Sequence, residues 1–150
     1  MRGLRRRSGF VVAGLFIGLG VFAPPARANL YDALGGERVL RAAVERFTDV
    51  VEADSRINFT FAEADLGRFK QLLYEQLCHL SGGPCEYTGR DMRTAHAKLA
   101  ITTAQFNALA EDLYIGLTQA GVPYRLQNKL MARLAPMKRD IVKDGRAASE

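Results

Sequence analysis

Three features of the sequence predict an all-α domain. Apolar residues recur every three or four positions from Asn29 to about Ile141, cap and stop residues punctuate that repeat, and no run alternates apolar with polar as a half-buried strand does. The first element, "NLYDAL", ends at Gly35-Gly36. A second helix over 37–52 places Val39, Leu40, Ala43, Val44, Phe47, Val50 and Val51 on one face. "ADSRINFTF" then reads as a connector carrying Phe59 and Phe61. A third helix starts near Asp65, which can cap it, and its apolar face runs through Leu66, Phe69, Leu72, Leu73, Leu77 and Leu80. Gly82-Gly83-Pro84 stops it. Residues 81–90 have no periodicity, and Asp91 can cap a short helix through about Leu99. Thr102 and Gln105 have capping-box spacing and open a helix carrying Phe106, Leu109, Leu113 and Leu117, which Gly121 and Pro123 end. A last helix from about Pro123 carries Leu126, Leu130, Leu134, Met137 and Ile141, and Pro136 should kink or restart it.

The chain has 150 residues, enough for one domain. Residues 1–28 look like a cleaved secretory signal. Arginines at 2, 5, 6 and 7 precede an apolar run from Val11 to Ala23, then Pro24-Pro25 and Ala26-Arg27-Ala28, an A-x-A cleavage pattern. The run is short of the roughly 20 residues a membrane span needs, so no membrane anchor is expected after cleavage. Arg5-Arg6-Arg7 resembles a twin-arginine signal only loosely, and general export is preferred. The expected organisation is signal 1–28, domain 29–143 and frayed tail 144–150, in a periplasmic or secreted protein. Residues 1–28 hold five arginines and no acid, so the remaining 16 basic residues balance 16 acidic ones. A nucleic-acid partner thus loses its electrostatic support. In an oxidising compartment Cys78 and Cys85 are expected to pair, because the intervening Gly-Gly-Pro turn can bring them together. Closing so small a loop stabilises by roughly 2.5 kcal/mol in the chain-entropy treatment.

No Ser-His-Asp set, phosphate loop or Cys/His metal cluster is legible, so hydrolytic chemistry is disfavoured. His96 is the residue that carries information. Met92, His96, Leu99 and Ala100 share one helix face, so the imidazole lies among apolar side chains. It is either a core histidine with both nitrogens satisfied or an iron ligand. A single protein ligand cannot hold bare zinc, but it can hold a haem iron whose porphyrin supplies four nitrogens. The surplus Phe, Tyr and Leu side chains could line a slot for it.

Residues 30–142 resemble a group 1 truncated haemoglobin, the two-over-two helical globin. "LYDALGG" resembles the family's opening, and "VVEADSRINFTF" the segment ending in a haem-stacking phenylalanine. "GGPCEYTGRDMRTAHAKLAIT" resembles its glycine loop, tyrosine-threonine-glycine and the methionine four before the proximal histidine. The resemblance implies a truncated globin-like two-over-two sandwich, haem b as cofactor and His96 as the iron ligand. It also implies haem contacts from Phe61, Tyr87, Met92 and Phe106, and a diatomic gas (O2, NO or CO) as partner.

The gas-binding side departs from the family. Where members commonly carry tyrosine after a phenylalanine, Thr48 follows Phe47, and the ungapped register puts Phe69 and Leu73 on third-helix positions that are often polar. Tyr74 and Gln76 are the nearby polar alternatives, and the register places both outside the pocket. An apolar pocket that releases oxygen quickly is therefore expected. Two other functions stay open: nitric-oxide dioxygenation or peroxidase-like chemistry, served by an unidentified electron donor, and a non-haem helical interaction module.

Overall fold

The structure is a computed structural model that describes residues 29–143. The expected signal segment 1–28 and tail 144–150 lie outside the described residues. Asn29 accepts a hydrogen bond from the Asp32 N–H and starts α1 (Leu30–Leu34). Gly35, at φ 101°, then turns the chain directly into α2 (Gly36–Ala53), a left-handed conformation that suits a residue without Cβ. Asp54 receives the Arg56 N–H and opens the connector, which closes as a 3-10 turn over Asn58–Phe61. Asp65 caps α3 (Leu66–Leu80) by accepting from the Arg68 N–H. Asp91 likewise caps α4 (Met92–Ala95). Both arms of the Thr102–Gln105 capping box are formed at the start of α5 (Thr103–Gln119). After α6 (Tyr124–Leu134), Pro136 enforces a 3-10 turn over Ala135–Met137, and the chain restarts as α7 (Lys138–Ile141).

Two helical pairs, α2 with α3 and α5 with α6, stack across one core, the two-over-two arrangement that the resemblance implied. No strand occurs among the described residues. Leu40, Val44, Phe47 and Val51 of α2 meet Leu77 of α3, Leu117 of α5 and Leu130 of α6 in the fully buried centre. Gly116 lets α5 press on α2, because a Cβ there would sit 2.7 Å from the Phe47 backbone nitrogen. The short helix ahead of His96 differs from expectation. It spans four residues rather than running to Leu99, and Ala100 at φ 47° turns the chain toward α5. None of its residues is buried, since its apolar side faces a cavity instead of a packed neighbour.

Candidate functional site

A cavity of about 530 Å³ opens between α3, the loop 81–91, α4, α5 and the C-terminal turn. Three aromatic rings form its wall toward α2. Phe69 of α3 meets Phe61 edge-on at 5.1 Å between centroids and lies 6.3 Å from Phe47. Leu72 and Leu73 continue that wall. These five side chains contain no hydrogen-bond donor.

The opposite wall is made of the loop and α4, and individual bonds place it. The disulfide Cys78–Cys85 forms as expected, with Cα atoms 5.8 Å apart, and ties the loop to the end of α3. Gly83 fits beside it because a Cβ would come within 2.7 Å of Cys78 Sγ. Thr88 donates to Glu75 Oε2 from its N–H at 3.0 Å and from its hydroxyl at 2.7 Å. Those bonds, led by the N–H, hold the Glu75 carboxyl below its usual pKa. Tyr87 lines the cavity and donates to the Arg90 carbonyl at 2.9 Å. Burial, then the Glu75 charge, pushes its phenol upward, so it stays neutral and a donor. Its ring lies against Gly89, where a Cβ would overlap the hydroxyl.

His96 follows α4 directly, half-buried against the cavity. Its Nδ1 lies 2.8 Å from the Met92 carbonyl oxygen. A carbonyl can only accept, so Nδ1 carries a proton, and the tautomer that can ligate a metal has its lone pair on Nε2. This arrangement prepares an imidazole to ligate a metal: one nitrogen is held, and the other is available to the cavity.

Phe61, Phe69, Leu73, Tyr87, Met92, His96 and Phe106 all line this one cavity. Thr48 does not. It is 1% exposed, and its hydroxyl donates to the Val44 carbonyl at 2.9 Å, a turn back along its own helix. The expectation that Gln76 lies outside is corrected. It lines the cavity with no rotation of α3, because it sits seven residues after Phe69 on the same helix face. Tyr74 does stay outside, buried beneath the Arg41 guanidinium at 3.9 Å. Arg68, Arg90 and Met137, which sequence reasoning did not single out, also line the cavity.

A family model described as bacterial-like globin matches residues 29–143. The group 1 truncated haemoglobin of Synechocystis is 36% identical over 121 residues, covering 77% of this chain and 98% of the relative. That of Mycolicibacterium paratuberculosis is 33% identical over 114 residues, covering 76% and 84% respectively. The truncated haemoglobin of Tetrahymena pyriformis in its Fe(III) form superposes with a TM-score of 0.75 at 29% identity, covering 78% of this chain and all of that one. The matching family model, these likenesses and a histidine with one nitrogen tethered beside a large cavity lead to one assignment: the chain belongs to the group 1 truncated haemoglobins, a family of haem-binding globins.

Proposed function

We propose that the protein holds haem b through His96 Nε2 and reversibly binds a diatomic gas, releasing oxygen quickly. The observation that carries this reading is the single committed nitrogen of His96 beside a large apolar cavity. The residues present fit the group. The cavity volume lies within the roughly 300–1,000 Å³ typical of cofactor pockets. Phe61, Phe69, Met92 and Phe106 supply apolar surface for a flat ring system. Arg68 and Arg90 are exposed cations among the lining residues, suited to a ligand with carboxylates along one edge. Haem, when bound, supplies an iron with a free position for a small gas.

Oxygen release depends on the donors that face the bound gas. Phe47, Phe61, Phe69, Leu72 and Leu73 offer no proton to a polarised ligand, the Thr48 hydroxyl is turned back into its helix, and the Gln76 amide is directed at the Met92 and Met137 sulfurs. A hydrogen bond to a charged group contributes about 1.5–3 kcal/mol. Without it oxygen should be held roughly ten- to a hundredfold more weakly, while carbon monoxide and nitric oxide depend less on a donor. Rapid oxygen release also weighs against nitric-oxide dioxygenation, which needs oxygen to persist.

The test has two parts. Purified protein should show a Soret band that His96→Gly alters and added imidazole restores. Leu73→Gln should then slow oxygen release about ten- to a hundredfold in stopped-flow measurements. Oxygen release from the unsubstituted protein as slow as that of a tyrosine-bearing relative rejects the apolar-pocket reading. Export to the periplasm belongs to the same proposal, supported by the pattern in residues 1–28 and by the disulfide. Cell fractionation and a mature N-terminus at Asn29 check it.

A further inference from the structure

Gln76 is a carboxamide in an otherwise apolar part of the cavity, and its bonding is unusual. Its Nε2 donates to Met92 Sδ at 3.4 Å and to Met137 Sδ at 3.5 Å. Thioether sulfurs are weak acceptors, so this amide is engaged without being strongly satisfied. The identity of its partners gives it meaning. Met92 is the residue whose carbonyl receives the His96 Nδ1–H. Met137 belongs to the C-terminal turn that leads to Asp140, and Asp140 takes the Arg93 guanidinium of α4 at 2.7 Å. One amide on α3 therefore touches both α4 itself and the C-terminal turn to which α4 is tied.

Such a tether matters because α4 is held by a few discrete bonds and not by buried area. It is four residues long and none is buried. A helix that short is not maintained by its own hydrogen bonds. We propose that Gln76 is a positioning residue for His96. By holding the Met92 side chain, it fixes the carbonyl that orients the imidazole and so sets the direction of Nε2. This rests on the reading of His96 as the iron ligand. It extends that reading to an α3 side chain that acts on the histidine side of the cavity rather than on the gas side.

The test uses the haem-loaded protein. Resonance Raman spectra of the ferrous form report the iron–imidazole stretch, and the spectrum of the carbon-monoxide form reports the gas side. Gln76→Leu keeps comparable volume and removes the amide. The iron–imidazole band should move to lower frequency and broaden, because a less firmly held Nδ1–H makes a weaker ligand. The carbon-monoxide stretch should not move. Met92→Leu keeps the carbonyl but removes the sulfur and should produce the same shift, and the double variant should shift no further. Should Gln76→Leu fold poorly, Gln76→Met supplies the same readout with a side chain native to this cluster. An unchanged iron–imidazole band, shifts that simply add, or a change confined to the carbon-monoxide stretch each overturns the proposal. Failure of the underlying reading looks different: the unsubstituted protein would show no iron–imidazole band, or the band would survive in His96→Gly.

Discussion

The two walls of the cavity are stabilised in different ways. Toward α2 and the start of α3, residues are held by area. Phe47, Val51 and Ile57 are at most 2% exposed, and their neighbours come from helices of 15 to 18 residues. Toward the loop and α4, no residue of α4 is buried, and position depends on discrete connections: one disulfide, Glu75 with Thr88, Gln76 with Met92, and Arg93 with Asp140. Burial is non-directional and sums over many contacts, so the first wall is rigid and tolerant of any single lost polar bond. The second is adjustable, and each connection answers to its own chemistry: redox state for the disulfide, ionic strength for the exposed ion pair. An apolar surface held by area thus faces a histidine held by a few discrete bonds.

The largest expected effect comes from breaking the area-held wall. Phe47→Ala removes a 2%-exposed ring that touches Phe69 and lies where α2 meets Gly116 of α5. The expected cost is about 3–5 kcal/mol, read as the shift in urea midpoint at constant m. A loss below about 1 kcal/mol would mean that burial does not hold this wall. The matching change on the other side is Cys85→Ser, which opens the Cys78–Cys85 bridge. It should cost about 2.5 kcal/mol, and reductant should lower the parent to the same level while leaving the variant unaffected. If reductant moved both proteins equally, the effect would not belong to this bond.

The same division explains how much of the molecule could be read from its sequence. The area-held parts are periodic, so α2, α3, α5 and α6 are legible to within a residue or two, and Asp65, Thr102 with Gln105, and Pro136 mark their ends because caps act locally. His96 was legible through its spacing from Met92 and through the family pattern around it. What stayed hidden depends on tertiary neighbours. Gln76 lies on the cavity face because two helical turns beyond Phe69 return to it, and its carboxamide among apolar residues gives no sign of that in the sequence. Thr48 keeps the sequence position of a pocket residue, but its hydroxyl finds a nearer acceptor in its own helix, at Val44. Gly116 looks like any helix glycine until the Phe47 backbone is placed against it. Asp112, in "AEDLY", reads as a solvated helix position and is 1% exposed.

Asp112 is a carboxylate enclosed within the area-held side, and its contribution to stability is small and depends on pH. Its Oδ1 lies 3.8 Å from Arg56 Nη2, and its Oδ2 has no hydrogen-bond partner. Asp54, Arg56 and Glu111 are the charged groups facing it. Burial, then the Asp54 charge, pushes its carboxyl from the usual 3.8 up to about 6. A carboxyl that binds its proton more tightly in the folded chain than in the unfolded one makes folding less favourable as it ionises. Stability should therefore fall as pH rises from about 4 to 6 and level off above. Asp54, Glu75 and Asp91 are shifted downward by their hydrogen bonds, so their contributions are present at neutral pH and are lost as pH falls below the usual carboxylate range. The parent should thus be most stable near pH 4–5. Asp112→Asn, of the same size but without a charge, should match it there and exceed it by ~1–2 kcal/mol at pH 7. Urea unfolding between pH 4 and 8 measures both slopes. If the variant declined as steeply as the parent from pH 4 to 6, the penalty would lie in some other group, and Asp112 would be enclosed without cost.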